Sequence, residues 1–170
     1  MALIDDTYFV FDLSLPAGKY SDIPGWINRL EGDLIRKIVG LSLSVPILDY
    51  SETSEQRIKD IVEGVGFEVD GIDYYWNGLV NENKKSLIAY HVYTQYLRNN
   101  ITFTTGTGER KAKNENSHNA NQSIKYWRAH QRYMEEVTTL LLLLNANADL
   151  YPEFVDPGKS INNDLNPFDI

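Results

Sequence analysis

NENKKSLIAYHVYTQYLRNN, residues 81–100, is the stretch that decides the fold. Asn81-Glu82-Asn83 opens a helix predicted over about 82–99. It carries Leu87, Ile88, Tyr90, Val92, Tyr93, Tyr96 and Leu97, which are spread around most of its circumference. An amphipathic surface helix keeps one polar face, whereas this one has almost none, so it must be buried against several partners. The flanking sequence has to supply them.

Toward the N-terminus, Trp26, Ile27, Leu30, Leu34, Ile38 and Leu41 recur at spacings of three and four. They predict a helix from about Pro24 to Val39. Pro24 stands near the first helical position, where a missing N–H does no harm, and Gly40 is placed to end the helix. Ser42 to Tyr50 reads as irregular and broken by Pro46. Ser51-Glu52-Thr53-Ser54-Glu55 offers caps for a short helix through Val62. Gly64 to Gly78, rich in glycine, acids and aromatics, reads as a packed loop with some strand character. Residues 3–15 alternate, with Phe9, Phe11, Leu13 and Leu15 on one side and Tyr8, Val10, Asp12 and Ser14 on the other, a period suited to an extended strand. A lone strand must pack along the helices or add to a neighbouring subunit.

Toward the C-terminus, ITFTTGTGERKAKNENS (101–117) reads as an extended excursion or hairpin-like loop. A last helix, the longest element, is predicted from near Ser117 to about Asn145, with Ile124, Trp127, Met134, Val137, Leu141 and Leu144 in register. Beyond it, Asn, Asp, Pro and Gly dominate and apolar periodicity ends. The expected class is mainly α: a bundle of about four helices with an extended N-terminal arm, a β-like loop and an extended C-terminal tail. The divisions are an arm at 1–20, a helical domain at 21–146 and a tail at 147–170. Trp26, Leu30, Tyr90, Leu97, Trp127 and Leu141 are assigned to the core.

The chain has 170 residues, enough for one core without staples, and no cysteine, which removes thiol catalysis, Cys-ligated zinc and disulfides. Met1-Ala2-Leu3-Ile4-Asp5-Asp6 begins with acid where a secretory signal carries basic residues, and Leu140–Leu144 is far shorter than a membrane span, so a soluble protein is expected. Net charge is −8, but it is segregated. Residues 1–80 hold 6 Lys+Arg against 14 Asp+Glu, residues 81–134 hold 9 against 3, and residues 135–170 hold 1 against 7. An acidic whole is poorly suited to wrapping DNA. Opposite charges meeting between subunits are another use of this pattern, and solvated faces a third.

Catalytic and ligand motifs fail on detail. Gly106-Thr107-Gly108-Glu109-Arg110-Lys111 lacks the glycine before the lysine and the Ser or Thr after it that a phosphate loop requires. His91, His118 and His130 match neither a metalloprotease helix nor a zinc finger, and His91 is expected as a hydrogen-bonded structural histidine. Glu135 and Glu136 are neighbours that face different ways on a helix, and no nucleophile elbow is present. No enzyme activity, metal or cofactor is expected. Arg110, Lys111, Lys113, Lys125, Tyr126, Trp127, Arg128, Arg132 and Tyr133 do interleave cations with rings, as base-stacking surfaces do.

A first helix with a WxxxL stripe (Trp26, Leu30) ending at Gly40 precedes the YHVYTQYL helix (90–97). That helix is followed by Thr104-Thr105-Gly106 and then Lys113-Asn114-Glu115-Asn116-Ser117. This order resembles the head–tail adaptor proteins of tailed bacteriophages, in particular the small helical adaptors of Bacteroides phages and prophages, including crAss-like phages. The likeness covers about residues 20–146 and departs from the family in the acidic Gly64–Gly78 loop and the tail.

The resemblance implies a structural virion protein of the head–tail neck, assembled in the host cytoplasm as a ring, a dodecamer, below the portal protein. Its loops would meet the adjacent tail or neck protein, and genome DNA would pass through the lumen without sequence-specific binding. The implied portal contacts are Phe9 and Phe11 in the arm and Tyr151, Phe154 and Phe168 in the tail, with loop contacts at Thr105, Arg110, Lys111 and Lys113. The alternatives are a nucleic-acid-binding helical module using the basic 98–132 segment, or another tail or neck completion protein. A small enzyme would need a pocket of perturbed titratable groups.

Overall fold

The computed structural model describes residues 2–15, 22–100, 102–105, 108–111 and 122–157, with side chains placed at 2–15, 22–99 and 124–157. Its centre is α3, Leu87–Asn100. Ser86 caps it: the Ser86 carbonyl accepts the Tyr90 N–H at 3.0 Å, and its hydroxyl accepts the Ile88 N–H at 3.2 Å. The helix therefore starts later than periodicity alone predicts. The Asn81 side chain competes for the backbone ahead of it, accepting the Lys85 N–H at 3.0 Å, and Lys84 takes a left-handed φ of 57°. Leu87, Ile88, Ala89, Val92, Tyr93, Tyr96 and Leu97 are all buried.

α1 (Ile23–Leu48) and α4 (Gln122–Ala146) pack on α3 directly, while α2 (Gln56–Glu63) packs on α1 and the hairpin of β1 (Val65–Val69) and β2 (Ile72–Trp76) packs on α4. A second two-stranded antiparallel pair, β3 (Thr102–Thr105) with β4 (Gly108–Lys111), leaves the end of α3 where an extended excursion was expected. The molecule is mainly helical, with four α-helices among the described residues. α3 packs most extensively on α4 and then on α1.

Gly40 interrupts α1 with φ 81° and ψ 169°, a region open essentially to glycine alone. The first helical run ends there, as its spacing predicts, but a second run follows directly, contrary to the reading of 42–50 as irregular. Helical backbone resumes to Leu48 despite Pro46, because Leu43 and Ile47 are fully buried and each such side chain contributes about 1.5–3 kcal/mol, which offsets one missing backbone bond.

The N-terminal strand expectation is corrected. Residues 2–15 form two 3₁₀ turns, Asp6–Tyr8 and Phe11–Leu13. A lone strand has no neighbour for its N–H and C=O groups, whereas the turns close locally: Phe9 N–H reaches the Asp6 carbonyl at 3.1 Å and Leu13 N–H the Val10 carbonyl at 3.0 Å. Asp5 starts the first turn by accepting the Thr7 N–H at 3.0 Å. Ile4, Tyr8, Phe9, Leu13 and Leu15 go into the core, so this stretch is part of the domain and not an extended arm. Buried Glu31 on α1 holds it, its carboxylate accepting the Leu3 N–H at 3.0 Å and the Ile4 N–H at 3.4 Å.

The Gly64–Gly78 stretch is a regular hairpin. Val69 pairs with Ile72, and the intervening Asp70 and Gly71 have φ of 51° and 78°, the two positive values of a type I′ turn. An isolated two-stranded ribbon is marginal in water. This one is rooted by Trp76, fully buried, whose indole N–H donates to the Ile61 carbonyl at 2.8 Å. Val80 N–H reaches the Val62 carbonyl at 2.8 Å, so the hairpin's exit also caps α2. The two chain segments touch backbone to backbone at Gly64 and Gly78. A Cβ at Gly78 would lie 2.5 Å from the Glu63 carbonyl carbon, and one at Gly64 would lie 2.6 Å from the Trp76 carbonyl oxygen.

Gly78→Ala should therefore lower unfolding free energy by about 3 kcal/mol, through overpacking and the positive φ of 86° together. Gly25→Ala, with nothing within 4 Å of the new carbon, should raise it by about 0.5 kcal/mol. Urea unfolding of both variants checks the contrast; equal effects would mean that the Gly64–Gly78 approach is not a constraint.

Candidate functional site

Lys125, Arg128 and Arg132 are spaced three and four apart, so one face of α4 carries all three cations. The turn at Phe11–Leu13 crosses in front of that face, and Tyr90 of α3 closes the space behind. Together they bound an open groove of about 480 Å³, with Asp12, Gln131 and Glu135 also on its walls. Arg132 is engaged by Glu135 at 2.7 Å. Lys125 and Arg128 have no carboxylate partner among the described residues, and both are exposed. Burial raises the Tyr90 hydroxyl above the usual tyrosine range, with the negative charge of Glu136 adding to it. That hydroxyl is therefore a neutral donor at physiological pH.

Phe11 stands at the groove's rim. It is 86% exposed and takes a left-handed φ of 52°, a conformation that costs a bulky residue about 1–2 kcal/mol. A large apolar ring is thus held out in water by a strained backbone. Such strain accumulates at functional positions more often than elsewhere.

Beside the groove lies an aromatic cluster. Tyr126 stacks on His130 with ring centroids 5.8 Å apart, and Tyr133 reaches both His130 at 6.2 Å and His91 at 5.3 Å. Burial pushes the His91 imidazole down to about 4, helped by the charges of Lys37 and His130. His91 is thus a neutral packing group near pH 7. Trp127, assigned to the core from its helical register, is corrected: it is 46% exposed. The buried stripe of α4 runs through Ala129, Tyr133, Val137, Leu140 and Leu144, and Trp127 sits about 80° around the helix from Val137.

The expected contact residues divide sharply. Phe9 is fully buried, so of the pair expected in the arm only Phe11 is presented outward. Tyr151, expected as a free tail anchor, is 2% exposed and belongs to this chain's own core. Its hydroxyl donates to the Arg57 carbonyl at 3.1 Å, and burial pushes it up to about 12. Arg57 in turn pairs with Glu153 and donates to the Leu150 carbonyl at 3.3 Å. Phe154 is half-buried against the same cluster. Residues 147–157 thus fold back on α2, and the tail expectation does not hold for them; the reason is that Tyr151 finds both an apolar site and a hydrogen-bond acceptor there.

Thr105 pairs with Gly108 across the β3–β4 ribbon, while Arg110 and Lys111 lie on β4 opposite Phe103 and Thr102. Lys113 and Phe168 lie outside the described residues. The groove itself draws on Asp12 and Tyr90, which no spacing in the sequence singles out. Its cations were legible in the helical period of 125, 128 and 132.

Among the described residues no helix is long and apolar enough to cross a membrane, and no group of three His, Asp or Glu could hold a metal ion. Comparison with family models, curated proteins and solved structures finds no match.

Two measurements check these placements. Tyr151→Ala should cost about 3–5 kcal/mol of unfolding free energy, and Phe11→Ala less than about 0.5 kcal/mol; the reverse order would contradict the burial of Tyr151. For His91 the depressed pKa means that the unfolded chain takes up a proton near pH 6.5 while the folded one resists it to about 4. Stability should then fall between those pH values by an amount on the order of 3 kcal/mol. Urea midpoints against pH should show that slope in the parent chain and a flatter one in His91→Gln; an unchanged slope would assign the effect to another group.

Proposed function

We propose that this chain is a structural subunit of a tailed-phage head–tail connector, whose copies form a ring beneath the portal and line the DNA channel. The observation that carries the reading is a contrast within one subunit. The core is closed, and among the described residues no buried side-chain polar atom lacks a hydrogen-bond partner. Yet large apolar side chains stand exposed on separate elements: Phe11 in the N-terminal turns, Leu41 and Val45 on α1, Ile72 and Tyr75 on β2, Trp127 on α4. Leu41 and Val45, four apart on one helix face, lie side by side, and different apolar surfaces on one chain suit a head-to-tail contact, the kind that closes into rings.

The helical order of the sequence supports the same reading, including the finer statement that the helices act as a bundle. Phe11 and the β3–β4 ribbon with Arg110 and Lys111 are the surfaces offered to assembly partners. The segregated acidic charge suits a channel through which DNA slides, since like charge prevents adhesion.

A second reading, a nucleic-acid-binding module, draws on the cationic face of α4 beside exposed Trp127. Binding that collapses with salt and is lost in Lys111→Glu with Lys113→Glu would favour it.

Co-expression with the portal protein of the same source, imaged by electron microscopy, tests the connector reading. The expected product is a ring of this chain stacked coaxially on the portal. Portal rings that stay bare at saturating concentration of this chain would remove direct portal docking and move the nucleic-acid reading ahead.

A further inference from the structure

The groove beneath Phe11 is left without an occupant by the connector reading. Its chemistry specifies one. Lys125 and Arg128 offer two cations with no carboxylate partner among the described residues, the Tyr90 hydroxyl a half-buried donor, and Phe11 with Leu13 an apolar wall. Asp12 and Glu135 stand among them. A nucleic-acid strand carries a charge about every 3.4 Å and would lay phosphates against those two carboxylates. A peptide with a few acids separated by apolar side chains can place each charge on a cation and each apolar group on the wall.

Residues 158–170, GKSINNDLNPFDI, are such a peptide, with Asp164 and Asp169 interleaved with Leu165, Phe168 and Ile170. We propose that the groove is the docking site for this C-terminal segment of a neighbouring copy. The reading deepens the connector proposal and rests on it for the presence of a neighbour. It uses the acid–base–acid charge pattern, because the acidic end of one chain meets the basic middle of the next.

Reach favours a neighbour over the same chain. Asp156 is tied to Asn145 at 3.1 Å, so the segment departs from the C-terminal end of α4. The helix from Asn145 back to Arg128 is about 26 Å long. Fully extended backbone carries Asp164 no more than about 25 Å from Pro157, so in its own groove only Asp169, with about 40 Å of chain, could reach Arg128 with slack, and the two acids could not both be used there. A neighbouring copy imposes no such limit.

The test uses the full-length chain with a photo-cross-linking residue in place of Gln131, in an equal mixture of ¹⁴N- and ¹⁵N-labelled copies. The expected result is a cross-link from position 131 to a peptide within 158–170, bridging light and heavy copies. Arg128→Asp should lower its yield about fivefold, the effect of losing one exposed ion pair of about 1 kcal/mol, and Asp164→Arg in that background should restore it. Cross-links to another part of the partner, or only within one isotope, would overturn the proposal. So would capture of added single-stranded oligonucleotide in preference to the segment.

The cross-link is read without the portal, so the two proposals fail separately. Bridging cross-links in a chain that leaves portal rings bare remove the connector reading and keep the docking site; coaxial rings without the cross-link do the opposite.

Discussion

Burial of α3 on every side is the constraint from which the rest of the structure follows. A helix that hides Leu87, Ile88, Ala89, Val92, Tyr93, Tyr96 and Leu97 together cannot be a surface element, and α4, α1 and the turn at Phe11–Leu13 are arranged to cover it. Ser86 at the cap and Thr94, by donating to the His91 carbonyl at 2.8 Å, are satisfied locally, so most of what the helix asks of its partners is apolar coverage. That demand explains why α1 continues past Gly40 and why the N-terminal turns are drawn in through Glu31.

The same demand produces the groove. Tyr90 is the part of α3 that the coverage does not fully close, because the cations of α4 face it from one side and the turn at Phe11–Leu13 from another. Polar side chains around a half-buried ring leave a space that water or a ligand must fill. A strained, outward Phe11 at its rim fits an interface awaiting a partner better than a finished monomer surface. The docking proposal therefore rests on an imperfection in covering one helix.

The hairpin shows how a few backbone contacts can attach an otherwise unstable element. The strands expose most of their side chains, and Trp76, the Gly64–Gly78 approach and the Val80 N–H bond to the Val62 carbonyl hold them to α2. The Asp70-Gly71 pair is a hairpin signal that the packed-loop reading of 64–78 passed over, since aspartate and glycine at adjacent positions favour the two positive φ values. The clasp was not, because two glycines fourteen positions apart carry no mark of mutual contact.

Periodicity and turn chemistry are local, and by themselves they determined that this protein is mainly helical, where α1 begins, that Leu87, Ile88, Val92, Tyr93, Tyr96 and Leu97 are buried, and that the chain after α3 turns extended. Burial of a single aromatic is not local. Tyr151 is interior because the Arg57 carbonyl, far away in sequence, lies where its hydroxyl can reach. Trp127 is exposed because Tyr133 and Val137 set the rotation of α4 against α3. Phe9 and Phe11 share one side of a strand, but Phe9 closes the first 3₁₀ turn and is buried while Phe11 opens the second and is exposed, and the choice between those backbones depended on whether another strand was present to pair with. The sequence determined the elements; only tertiary structure decided which side chains faced inward, because that depends on partners brought together by the fold and not by the chain.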